Sequence, residues 1–164
     1  MTYTTLGGFR GVVITDVNQD RLDLAARVAD VVPVNVAHED LKAVEDRLKM
    51  KEGFDVGLEM SGAESAFNQM LSSIRHGGQI AALGIPPEPI TLDINDVILK
   101  GLTVQGIYGR KIFETWYKGT MMYQTGLPLE KIITHRFHYT DFQQGFDVMR
   151  SGNSGKVVLN WEDA

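Results

Sequence analysis

Cysteine is absent from the 164 residues. That one absence excludes disulfides, thiolate nucleophiles and Cys-rich zinc sites. It fits a reducing compartment, and the expected location is cytoplasmic. No apolar run approaches the ~20 residues that a membrane-spanning helix requires. The first residues do not set a basic segment before an apolar core, the pattern of a secretory signal. A basic cluster suited to nucleic acid is also missing, because the net charge of −5 is spread along the chain. Neither nucleic acid nor membrane is therefore an expected partner. Internal repeats and low-complexity stretches do not occur either.

What remains is an ordinary globular composition, 43% apolar and 23% charged, in a chain long enough for one domain with a real core. Six stretches read as strands: the Val12–Ile14 core of "GVVITDV", "DVVPVNV" at 30–36, "FDVGLEMSG" at 54–62, "QIAALGI" at 79–85, "LTVQGIYG" at 102–109 and "GKVVLNW" at 155–161. Between them, apolar residues recur at helical spacing. Leu22, Ala25 and Val28 mark one helix after the capping run Asn18-Gln19-Asp20. Leu41, Val44 and Leu48 mark a second, with Gly53 at its end. Phe67, Met70, Leu71 and Ile74 mark a third, which Gly77-Gly78 would stop. Shorter helical segments are expected at 93–101 and from Phe113 to Gln124. Thr140 is the expected N-cap of a last helix carrying Phe142, Phe146 and Met149, ended by Gly152. Apolar strands alternating with helices imply an α/β fold: a Rossmann-like, doubly wound parallel sheet covered on both faces. No linker suggests a domain boundary inside the chain.

Acids at strand ends are the first candidates for chemistry. Asp16 closes "GVVITDV". Such an acid either accepts hydrogen bonds from the ribose hydroxyls of a dinucleotide or simply favours the start of the next helix. A ribose-binding acid normally follows a glycine-rich phosphate loop by about 20 residues. Gly7, Gly8 and Gly11 precede the first visible strand instead of following one, so they fail the context for that loop. Asp55 and Glu59 lie in one strand, where a structural role outweighs acid–base catalysis. The four histidines, His38, His76, His135 and His138, are not spaced as metal ligands. Trp116, Met121 and Met122 read as core or interface.

Several stretches go beyond fold class. "VVITDVNQDRLDLA", "EGFDVGLEMSGAESAFNQML", "HGGQIAALGIPP", "KGLTVQGIYGRKIFETWY" and "DFQQGFDVMRSGNSGKVVL" follow one another in the order of a zinc-containing medium-chain dehydrogenase. Over residues 11–161 the chain resembles that family. Within it, "EMSGA", "LGIPP", "GIYGRKIFETWY" and "ITHRF" resemble the branch that oxidises L-threonine with NAD to 2-amino-3-ketobutyrate.

The resemblance implies a coenzyme domain and names its residues. Asp16 would take the adenosine ribose and favour NAD over NADP. Arg21 would lie near the adenosine end. Leu83, Gly84 and Ile85, with Ile107 and Tyr108, would line the nicotinamide side of the cleft, beyond the carboxyl ends of their strands. The family's zinc, its Cys, His and Glu ligands and its relay His belong to an N-terminal domain that these motifs do not cover. On this reading residues 1–10 are a non-family segment and 11–164 a partial NAD-binding domain, lacking its first strand, glycine loop and first helix. No catalytic residue and no metal ligand is expected in the chain, and the chain alone is expected to be inactive. Homo-oligomerisation through the 102–109 strand is a further implication of the resemblance. The alternatives are a non-catalytic nucleotide-binding or oligomerisation module, or a truncated reading frame without function.

Overall fold

The computed structural model describes residues 11–109 and 111–162. The glycines at 7 and 8, with the rest of the 1–10 segment, lie outside the described residues, as do residues 163 and 164. The described residues form two compact units, one of residues 11–39 and 113–162, the other of residues 40–112.

The first unit begins with a βαβ turn of chain. Strand β1 (Val13–Asp16), helix α1 (Gln19–Val28) and strand β2 (Val32–Asn35) bring β1 and β2 side by side in parallel, with Asp16 opposite Asn35. Asn18 is the N-cap of α1, and its side chain accepts from the Asp20 and Arg21 amides at 3.0 and 3.3 Å. The helix buries Leu22, Ala25 and Val28, the apolar positions that the periodicity marks, and fully buried Val34 joins them in the core. Pro33 lies within β2. The donors toward β1 are the even-numbered residues, Val32 to Val12 and Val36 to Asp16, so position 33 has no ladder bond to lose.

The rest of the unit is helix α5 (Ile112–Gln124), a 3-10 turn (Leu129–Ile132), strand β6 (Ile133–His138), a second 3-10 turn (Tyr139–Asp141), helix α6 (Phe142–Ser151) and strand β7 (Lys156–Asn160). Strands β6 and β7 are parallel. The sequence reading has no strand at 133–138, and it places the last helix cap at Thr140. In the structure Thr140 lies inside the 3-10 turn, and its hydroxyl is 2.7 Å from Nδ1 of His138. Gly152 does end α6, with φ +79, where a left-handed residue is needed to turn the chain.

The second unit holds helix α2 (Leu41–Arg47), strand β3 (Phe54–Glu59), helix α3 (Glu64–Ser73), strand β4 (Ile74–Ala82), helix α4 (Ile94–Leu99) and strand β5 (Thr103–Gly106). The strands are parallel in the order β3-β4-β5. Phe67, Leu71, Ile74 and Ile80 are the buried centre of the core, with Phe54, Met70 and Val97 packed against it. Gly77-Gly78 do not stop α3, which already ends at Ser73. They lie inside β4, where the register slips between Phe54↔Ile74 and Val56↔Gln79. Gly77 has φ +70 there and donates to Lys100 at 2.7 Å, so the glycines serve a bulge and not a helix end.

The fold is α/β and Rossmann-like, with every pair of strands parallel. Among the described residues the strands make three sheets, of two, three and two strands. Strand β3 departs from the expected cover on both faces: Gly57 and Glu59 are buried, while Val56 and Leu58 are exposed.

Candidate cofactor site

Asp16 ends β1 with one oxygen engaged. Its Oδ1 accepts from the Asn18 amide at 2.9 Å. Its Oδ2 is 3.9 Å from Arg21 Nη1, at the outer limit of an ion pair, and both side chains reach solvent. An exposed pair this long contributes little to stability. The acid does not cap α1, because Asn18 does so. Asp16 thus keeps acceptor capacity on a partly exposed oxygen, as a ribose ligand needs. Asp16 and Arg21 border a cleft of about 390 Å³, floored by Ile14, Leu24 and Ile132. Lys156, which the sequence reading does not single out, lines the same cleft.

The other five predicted residues lie together at the carboxyl end of the three-stranded sheet. The Leu83 and Gly84 amides donate to the carbonyl of Glu59 at 2.8 and 3.1 Å, and the Ile107 amide donates to the Ala82 carbonyl at 2.8 Å. These bonds carry the parallel ladders just past the strand ends. Leu83 is 44% exposed, Ile85 81% and Tyr108 97%. Apolar groups at the rim of a parallel sheet, beyond its carboxyl ends, are suitably placed to meet a ligand ring. Gly84 has no room for a side chain: a Cβ there would collide with the Gly62 amide and with Oε2 of Glu59. What packs tightly against Gly84 is thus the protein's own loop.

Glu59, for which the sequence favours a structural role, has a specific one. It is 2% exposed. Its Oε1 accepts from the Ser61 amide at 2.9 Å, the Ser61 hydroxyl at 2.6 Å and the Gly62 amide at 3.0 Å, and Oε2 lies 3.2 Å from the same Gly62 amide. Asp55, its neighbour in the strand, is exposed and paired with Arg75 at 2.5 Å. The two acids differ in burial and in partners. The signal for its partners in the sequence is an acid at a strand end with Ser-Gly two and three residues on, Ser61 and Gly62.

The donor set does not suit zinc. The sequence has no cysteine, and the described residues hold no group of three His, Asp or Glu placed to share an ion. His135 and His138 each face a threonine hydroxyl, at 2.9 and 2.7 Å. Of the described helices, none is long and apolar enough to cross a membrane.

With this geometry in hand, known proteins give a consistent frame. Residues 1–124 match the family described as zinc-binding dehydrogenase. That match includes residues 1–10, which the motif resemblance leaves out. An L-threonine 3-dehydrogenase of Pectobacterium atrosepticum is 60% identical over 157 residues, covering 96% of this chain and 44% of that protein. The Vibrio vulnificus enzyme of the same name is 61% identical over 155 residues, covering 94% and 45%. The chain therefore spans less than half the length of these curated relatives. Among solved structures, benzyl alcohol dehydrogenase from Acinetobacter calcoaceticus superposes with a TM-score of 0.83 at 21% identity, over 94% of this chain and 44% of that one. A short chain alcohol dehydrogenase from E. coli CFT073, complexed with NADH, gives 0.84 at 16% identity, over 96% and 47%. The structural likeness carries the fold, the family match carries the kinship, and this chain belongs to the zinc-binding dehydrogenase family.

Proposed function

We propose that this chain is the coenzyme-binding part of an NAD-dependent L-threonine 3-dehydrogenase, acting in threonine catabolism. The reaction converts L-threonine and NAD to 2-amino-3-ketobutyrate and NADH. The observation that carries the reading is the 60% identity, over nearly the whole chain, to enzymes of that name. NAD held there would supply the hydride acceptor for the oxidation. The chain's own residues bind and orient. Asp16 accepts hydrogen bonds from the adenosine ribose, and its charge disfavours a 2′-phosphate. Arg21 flanks that end. Leu83, Gly84, Ile85, Ile107 and Tyr108 offer the apolar rim for the nicotinamide side.

The chain supplies no catalytic residue and no zinc ligand on this reading, so it does not oxidise threonine by itself. Zinc in the whole enzyme would be held elsewhere. A second copy of the chain meets the first along the 102–109 strand: β5 is exposed and is an edge strand among the described residues, and Ile107 and Tyr108 extend it. The purified chain, assayed with zinc, NAD and L-threonine, should give no NADH. Clear NADH production would overturn the assignment of a binding part without chemistry. Light scattering after gel filtration tests the copy contact, and a stable monomer would count against it.

A further inference from the structure

Glu59 is a buried carboxylate that the proposed binding site does not use directly. No ion pair to it is found among the described residues, so hydrogen-bond donors alone compensate its burial. Their pattern is not that of a helix cap. The donors are the Ser61 amide, the Ser61 hydroxyl and the Gly62 amide, all before α3 begins at Glu64. The N-cap of α3 is Ala63, whose amide donates to Ser61 Oγ at 3.1 Å. The carboxylate therefore fixes the loop and not the helix.

The same residue holds a second segment through its main chain. Its carbonyl accepts from Leu83 and Gly84 at 2.8 and 3.1 Å. Gly62, pinned by the carboxylate, lies directly against that segment. With φ +71, it has the Ile85 carbonyl 2.7 Å from where its Cβ would be. The side chain of Glu59 thus sets the loop at 61–62, and the loop with the Glu59 carbonyl sets 83–85 from two sides. We infer that Glu59 is the positioning residue that holds Leu83–Ile85 in place for the cofactor. This rests on the reading that 83–85 meets NAD. On this reading Glu59 acts on the cofactor through that segment.

Glu59→Gln is the test, because it keeps size and removes charge. One oxygen then remains for three donors, and the new amide nitrogen faces the Gly62 amide as donor against donor. Glu45→Gln is the control, since Glu45 is buried in the same unit and pairs with Lys42 at 2.8 Å. Amide hydrogen exchange should quicken at least tenfold at Leu83 and Gly84 as well as at Ser61 and Gly62 in the first variant, and at none of these in the control. The dissociation constant for NADH should rise at least fivefold in the first variant only. Exchange at Leu83 and Gly84 within twofold of the parent chain would overturn the inference, as would an equal change in the control. If Glu59→Gln does not fold, Ser61→Ala removes one donor and should quicken the same amides by a smaller factor; unchanged exchange there overturns the inference equally. Failure of the parent chain to bind NADH would remove the cofactor reading alone, because the exchange pattern still decides whether Glu59 holds the segment.

Discussion

Asp16 and Glu59 each end a parallel strand, and each precedes a turn into a helix, yet their oxygens are used differently. Asp16 is partly exposed, accepts one amide and leaves Oδ2 facing Arg21 at 3.9 Å. Glu59 is buried and accepts from both amides and the hydroxyl of the turn that follows. An uncommitted oxygen makes the first a candidate ligand. Three donors converging from one turn make the second a structural clamp. Position in the fold is therefore not enough to assign a role to a strand-end acid; the count of its committed acceptor sites decides.

Breaking the clamp should be the costliest change. Glu59→Ala leaves buried donors at Ser61 and Gly62 without partners, and should lower unfolding free energy by about 3 kcal/mol in urea titration. A loss well below ~1 kcal/mol would mean that water replaces the carboxylate. Gly84→Ala attacks the same clamp from the other side. Its Cβ would meet the Gly62 amide and Glu59 Oε2, for an expected cost of about 2 kcal/mol by overpacking. Thermal unfolding checks this, and a neutral variant would show that 83–85 can move aside freely.

Around Asp16 smaller effects are expected. Asn18 caps α1 and also donates from Nδ2 to the Gly152 carbonyl at 3.1 Å. Asn18→Ala should cost about 1 kcal/mol in urea titration, and a loss as large as that of Glu59→Ala would erase the contrast between the two turns. The least costly change is at an exposed pair. The Tyr123 hydroxyl donates to Glu130 at 2.5 Å and holds its carboxyl below the usual carboxylate range, while Glu130 holds the Tyr123 phenol above its own. A lowered folded pKa means that the stabilisation is present above the ordinary carboxylate value and is lost as pH falls through the lowered one. For the phenol, stabilisation is present below its ordinary value and is lost as pH rises through the raised one. In Tyr123→Phe the Glu130 titration, followed by carboxyl carbon NMR, should move upward. An unmoved midpoint would show the bond to be absent in solution.

How much of this was legible in the residues depends on the range of the interactions. The β1–α1 turn reads directly: an apolar run ended by Asp16, a capping Asn18 and a helix stripe of Leu22, Ala25 and Val28 are all local signals. Gly77-Gly78 misleads because a glycine pair after a helical stripe looks like a stop, and only pairing with β3 and the bond to Lys100 make it a bulge. Strand β6 is missed because "ITHRFH" alternates polar residues with few apolar ones and depends on β7, 23 residues later, for pairing (Ile133 lies opposite Lys156). The seven residues proposed to meet the cofactor rest on motif resemblance and strand ends. The service of Glu59 does not, because its burial and its second segment come from chain more than 20 residues away in sequence.

On the proposed function the chain binds NAD through Asp16 without performing the chemistry. Calorimetric titration of the parent chain and Asp16→Asn with NAD and NADP decides this. The parent should prefer NAD by at least tenfold, and the variant should lose that preference while staying folded. No NAD binding by the parent, or an equal preference in both chains, would contradict it.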